Sequence, residues 1–235
     1  YENRANLSDA FFESVIRPYE GTRLGRQEIE AELLEDVPGA LWNQGLIDAA
    51  RIDRSEVHWD LIPKLVVAID PAVSALDDSD ETGIIVAGMT RSGHIVVLDD
   101  LSCRESPLGW AKIARAAYIQ HKADVIVAEV NNGGDLVERN IRALDPALAF
   151  RAVRATRGKE MRAQPVAQLY ERALVHHVGY FATLEEQMCS FVPGAKQKSP
   201  DRLDALVWAI SSLAIDPMEE TSVIQIGEPV RISDI

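Results

Sequence analysis

Residues 64–101, KLVVAIDPAVSALDDSDETGIIVAGMTRSGHIVVLDDL, decide the fold. The runs KLVVAID (64–70), TGIIVAGM (82–89) and GHIVVLDDL (93–101) are too short for core helices and rich in β-branched residues. Gly, Ser and Asp punctuate them, which predicts three consecutive strands. The Arg91-Ser92-Gly93 turn is tight enough to fold the second and third runs into an antiparallel hairpin, with residues 77–81 connecting the first to the second.

Downstream, SPLGWAKIARAAYIQHK (106–122) carries Ser106 as N-cap, Pro107 at the first helical position, and Trp110, Ile113, Ala114, Ala117 and Tyr118 at helical spacing. ADVIVAEV (123–130) predicts a fourth buried strand, and NNGGDLVERNIRAL (131–144) a glycine turn into a second helix. ALAFRAV (147–153) reads as a fifth strand and LVHHV (174–178) as a short further one. Helices are expected over 164–173, near 184–191, and over SPDRLDALVWAISSLAI (199–215). Strands in series followed by alternating helices and strands predict an α/β fold, a mixed sheet flanked by helices on both faces.

Upstream, residues 1–60 read as an adaptor segment, with amphipathic helices over 7–16 and 27–34 and a loop holding Pro38, Gly39 and Gly45 before LIDAARI. The catalytic-looking core spans 61–216, and 217–235 form a loosely attached tail. The first residue is Tyr1 and no signal or transit pattern opens the chain, so an excised fragment of a longer protein is expected.

Composition narrows the function. The 235 residues are 47% apolar and 26% charged, which suits a folded domain and excludes a disordered one. No run approaches the ~18 apolar residues of a membrane span. Cys103 and Cys189 stand far apart and outside any CxxC pairing, which excludes a disulfide scaffold and a cysteine-rich zinc site and suits a reducing compartment. The net charge of −13 opposes a nucleic-acid partner on average, but residues 151–205 reverse the sign with 9 basic against 6 acidic side chains. That basic island is either a solvated helix face or a binding surface.

Three acids occupy similar places: Asp70 ends KLVVAID, Glu129 ends the apolar part of ADVIVAEV, and Asp201 opens the last helix one turn before Asp204. Adjacent parallel strands, ~4.8 Å apart, would set Asp70 beside Glu129. Buried carboxylates that close require a cation, a proton or solvent. Hard oxygen donors without nearby His or Cys select Mg²⁺ or Mn²⁺, and a pair of such ions suits phosphoryl transfer. Each acid alone has a structural explanation. Asp70-Pro71 is a turn dipeptide, and Glu129 precedes an Asn-Gly turn. Asp201 and Asp204 suit a helix capped by Ser199 with Pro200 in its first turn, or a surface pair with Arg202 or Lys198.

Other chemistries lack their signatures. His94, His176 and His177 have no HExxH spacing and read as strand or turn residues, Gly133-Gly134 fits neither GxGxxG nor a Walker motif, and no serine lies in GxSxG. The four tryptophans read as packing anchors, Trp208 on the apolar stripe of the last helix above all.

The segments AIDPA, DDSDETGIIVAG, VLDDLSCRESPLGWA, VIVAEVNNGGDLV, RATRGKEMRAQPVAQLYE and SPDRLDALVWAI together resemble the nuclease domain of phage-type terminase large subunits over roughly residues 60–215. GTRLGRQEIEAELLEDVPGALW resembles the segment that joins the packaging ATPase to the nuclease in phage, prophage and gene-transfer-agent relatives. The resemblance implies an RNase H-like fold and a metal-dependent endonuclease that cuts concatemeric double-stranded DNA during capsid filling, using two Mg²⁺ or Mn²⁺ ions. It places the metal-binding and catalytic acids on Asp70, Glu129, Asp201 and, as an auxiliary ligand, Asp204. It also raises Arg157, Lys159 and Arg162 as DNA-backbone contacts. The implied partners are double-stranded DNA, an ATPase domain of the same full-length chain, the portal protein and the small terminase subunit, in the host cytoplasm and transiently at the capsid portal vertex. The competing expectations are a RuvC-like junction resolvase and a non-catalytic portal-docking module. An actin-like or sugar-kinase ATPase would need DxGxT where this chain has Asp70-Pro71-Ala72.

Overall fold

The computed structural model describes residues 36–72, 81–131, 135–196 and 199–215. The helices expected over 7–16 and 27–34, most of the 77–81 connection, and the tail beyond residue 216 lie outside the described residues. Among the described residues no helix is long and apolar enough to cross a membrane.

In chain order the elements are α1 (Gln44–Ala49), β1 (Arg51–Ile52), β2 (Lys64–Asp70), β3 (Gly83–Met89), β4 (Ile95–Asp100), α2 (Pro107–His121), β5 (Val125–Glu129), α3 (Asp135–Leu144), β6 (Phe150–Val153), α4 (Lys159–Glu171), β7 (Val175–Val178), α5 (Ala182–Ser190) and α6 (Asp201–Ile210). α6 then opens into a π-helical turn over Ser211–Ile215. The seven-stranded sheet has the order β1-β7-β4-β3-β2-β5-β6. β2, β3 and β4 form the expected antiparallel meander, and β2 with β5, β5 with β6, β4 with β7 and β1 with β7 are parallel.

Strand periodicity distributes the core. Val66 and Ala68 pack on one face with Leu206, Ile210, Val166 and Tyr170, whereas Val67 and Ile69 pack on the other with Trp110, Ala114 and Ile141. Successive side chains of a strand point to opposite faces. Thus α4, α5 and α6 cover one face and α2 and α3 the other, the two-sided α/β arrangement expected of an RNase H-like sheet.

Three features differ from the expectations. Trp42, Ile47 and Ala50 are buried in the same core as α6, and β1 hydrogen-bonds along β7, so the part of the 1–60 segment from Trp42 onward packs as one body with the sheet. No run of alternating residues marks a two-residue edge strand. α4 begins at Lys159 rather than at residue 164 and carries Pro165 inside it. Proline favours the first turn because it lacks an N–H, which is why the sequence suggests a start there. The extra N-terminal turn is held by ion pairs from Lys159 and Arg162 to acids on other elements. Finally, Ser199 does not cap α6. Its position before the helix is taken by Pro200, and the side-chain oxygen of Gln187 on α5 accepts from the N–H groups of Arg202 and Leu203 at 3.0 and 3.2 Å.

Candidate active site

Parity fixes where the strand-end acids point. Asp70 continues the series Val66, Ala68, and Glu129 continues Val125, Val127, all of them on the α6 face. β2 and β5 run parallel with Ile69 opposite Ala128, so Asp70 and Glu129 are the next positions on neighbouring strands. Both acids therefore emerge on the same face at the same end of the sheet.

α6 delivers the other two. Asp201 and Asp204, three residues apart, are both buried at its first turn, 6% and 4% exposed. Two devices seat that turn. Gly83, paired with Asp70 across the β2–β3 ladder, lets the helix backbone approach so closely that a β-carbon there would lie 2.0 Å from the carbonyl oxygen of Asp201. Arg202 grips Glu81 with Nε and Nη2 at 2.7 and 2.6 Å and Asp100 with Nη1 at 2.7 Å. Arg202 is thereby tied to acids of the β3 approach and of β4.

The electrostatics follow from the crowding. Burial, then the charges of Asp204 and Glu129, push the Asp70 carboxyl up to about 8, with Lys159 opposing. Burial also raises Asp204, opposed by Lys159 and Arg162. The cations come from α4. Lys159 Nζ donates to Asp204 and, at 2.8 Å, to Ser199 Oγ. Arg162 lies between two acids, Nη1 at 3.7 Å from Glu129 and Nη2 at 3.9 Å from Asp204. Of the basic residues expected near the site, Lys159 and Arg162 thus meet the acids themselves, while Arg157 is exposed and outside these pairs.

Trp208 is the residue that the sequence reading left without a role. Its Nε1 donates to Glu129 Oε2 at 2.7 Å, and the Arg162 guanidinium stacks on its ring at 4.4 Å. The signal was available: Asp201, Asp204 and Trp208 recur at helical spacing on one face. Gly83 and Gln187 had no such signal, because each acts on an element distant in sequence.

Among the described residues no group of three or more His, Cys, Asp or Glu side chains stands ready to hold a metal ion. The donor chemistry nonetheless fits a hard divalent cation. Four carboxylates lie at one end of the sheet against two basic groups, every donor is oxygen, and burial together with the neighbouring acids raises the Asp70 carboxyl.

Residues 67–213 match the terminase RNaseH-like domain, a stretch that holds all four acids and covers well over half of the sequence. The chain belongs to the terminase RNaseH-like domain family. Solved structures of terminase nucleases share its fold. The large terminase nuclease from thermophilic phage G20c with bound magnesium is 15% identical over 74% of this chain and 98% of that one, with a TM-score of 0.55. A mutant nuclease domain of the large terminase subunit of bacterial virus Sf6, with manganese and beta-thujaplicinol, is 14% identical over 73% and 98%, at 0.54. A large terminase from a thermophilic bacteriophage, in complex with ADP, is 14% identical over 90% of this chain, which spans only 54% of that protein's length, at 0.56. No curated protein matches the chain. The terminase RNaseH-like domain is therefore fixed as the family, and its mixed sheet as the fold.

Proposed function

We propose that this domain is a divalent-metal-dependent endonuclease that cleaves concatemeric double-stranded DNA during genome packaging, as the nuclease part of a terminase large subunit. The observation that carries the reading is the convergence of Asp70 and Glu129, from adjacent parallel strands, on the face where α6 buries Asp201 and Asp204. The G20c and Sf6 terminase structures, with magnesium and manganese, support the choice of metal.

Asp70, Glu129 and Asp201 are the proposed ligands of two ions, with Asp204 as the auxiliary one. Bound Mg²⁺ or Mn²⁺ supplies Lewis-acid polarisation of the phosphodiester and a water of lowered pKa. The chain's own groups do the rest. Asp70, whose carboxyl is favoured in its neutral form by burial and by the neighbouring acids, would give up its proton on becoming a ligand. Lys159 holds Asp204 when the acids stand alone and is free to swing to a phosphate oxygen. Trp208 fixes the orientation of Glu129 by its single hydrogen bond, and Arg162 keeps a guanidinium between Glu129 and Asp204. Backbone contacts from Arg157, Lys159 and Arg162 orient DNA without reading its bases.

A chain of net charge −13 binds DNA weakly by itself. An ATPase domain in the same full-length protein, the portal protein and the small terminase subunit would supply local concentration at the portal vertex in the host cytoplasm. The test is plasmid cleavage in Mn²⁺: the wild-type chain linearises and then degrades supercoiled DNA, and Asp70→Asn, folded by circular dichroism, does not. Full cleavage by that variant overturns the assignment. Preference for four-way junctions over linear duplex would point instead to a resolvase.

A further inference from the structure

Beside the acids lies a cleft of about 230 Å³ lined by Arg154, Thr156, Arg157, Arg162, Trp208 and Ser211. We propose that it seats a backbone phosphate of the DNA strand next to the one being cut, a phosphodiester site separate from the carboxylates. This rests on the nuclease reading only for the identity of the polymer.

The floor of the cleft is preset. Arg162 is stacked on Trp208 and tethered toward Glu129 and Asp204, which fixes its plane. Yet its Nε and Nη1 are buried and make no hydrogen bond. Buried donors are normally satisfied, so these two call for an acceptor. An anionic oxygen suits a guanidinium better than a neutral group, because a planar fork of donors matches phosphate. The cleft also carries charge in reserve. Arg154 and Arg157 are exposed, and among the described residues their side chains take part in no ion pair or hydrogen bond. That contrasts with Arg51, Arg142 and Arg202, each of which is paired to a carboxylate. Thr156 and Ser211 add hydroxyl donors. Gly158, the residue before α4, supplies no side-chain cap, so the positive end of the helix dipole adds to the arginines that flank it.

The rim argues for a polymer rather than a free ion. Met161, 60% exposed, and Ile215, 38% exposed, border the cleft and offer apolar surface to a sugar on either side of the seated phosphate. Because Arg162 and Trp208 belong both to this cleft and to the acid cluster, a strand anchored here is held at a fixed offset from the carboxylates. No base edge is engaged, so the anchor is independent of sequence.

The experiment measures binding of a 30-base-pair duplex by fluorescence anisotropy, without divalent ions, across a salt series. The double variant Arg154→Ala/Arg157→Ala is compared with Lys112→Ala/Arg139→Ala, which removes the same charge from α2 and α3 on the other face of the sheet. The cleft variant should flatten the dependence of log affinity on log salt by about 0.9, the share of the one phosphate that the cleft seats, and the control variant should keep the wild-type slope. An unchanged slope in the cleft variant, an equal fall in both variants, or no duplex binding by the wild-type chain overturns the proposal. The nuclease reading fails separately, since it is read from Mn²⁺-dependent cleavage. A protein that does not cut but shows the slope change keeps the cleft, and one that cuts with no slope change loses it.

Discussion

A β-carbon on Gly83 would lie 2.0 Å from the carbonyl oxygen of Asp201, and Gly83 is the ladder partner of Asp70. The glycine thus sets how near α6 comes to β2, and with it the spacing of acids drawn from opposite ends of the sequence. Gly83→Ala should force α6 away, since the colliding atoms are backbone. The expected cost is about 1–3 kcal/mol of stability together with loss of Mn²⁺ binding. Thermal unfolding and calorimetric Mn²⁺ titration check both. A variant with wild-type metal affinity would show that the close approach is incidental.

Trp208→Phe keeps the ring but removes the Nε1 donor to Glu129. A nearly buried carboxylate deprived of its donor costs about 1–3 kcal/mol. Mn²⁺ binding should weaken, and the tryptophan fluorescence change on Mn²⁺ addition should be lost, because Trp208 is the indole that touches a proposed ligand. Retention of that change in the variant would assign it to another tryptophan.

The Asp70 carboxyl, raised to about 8 by burial and then by Asp204 and Glu129, makes the metal-free protein pH-sensitive. Between its unfolded value near 4 and about 8, the folded state holds a proton that the unfolded state has released. Stability is therefore full below pH 4 as far as this group is concerned, and falls as pH rises to 8, by up to about 1.4 kcal/mol per pH unit. Asp70→Asn should abolish that part of the slope and raise the melting temperature at pH 8. Mn²⁺ affinity of the wild type should rise with pH over the same window, as binding expels the proton.

Gln187→Ala removes the cap of α6 and should cost about 1 kcal/mol, the usual worth of a helix cap. Ser199→Ala, the position that the sequence suggests as the cap, should leave stability nearly unchanged, since among the described residues its hydroxyl meets only Lys159. Urea denaturation of the two variants separates them.

Arg51 joins β1 to the core through Glu185, with Nη1 and Nη2 at 2.8 and 3.0 Å, and Glu185 also accepts a contact from buried His177 at 3.0 Å. Arg51→Ala removes a charged partner of buried Glu185, which keeps His177 and the Phe181 N–H, and should destabilise by about 1–3 kcal/mol. A single unfolding transition at a lower temperature is expected, because the segment from Trp42 and the sheet share one core. Two separate transitions would contradict that.

The strands that carry Asp70 and Glu129, the meander of the first three long strands, the helices of both faces and the two acids of α6 were legible in the sequence. Apolar runs, turn residues and helical spacing are local signals, and strand parity converts them into direction without knowledge of the rest. The sequence also marked the basic 151–205 stretch, but not that Lys159 and Arg162 would lie on the acids and leave Arg154 and Arg157 facing a cleft. Nor did it mark Trp208 as the donor to Glu129, Gln187 as the cap of α6, or Gly83 as the point of closest approach. Each of these depends on which side chain arrives from an element far away in the chain. Such meetings are chosen by the packing of helices on a finished sheet, where a buried charge or an unpaired N–H takes the partner that geometry brings within reach.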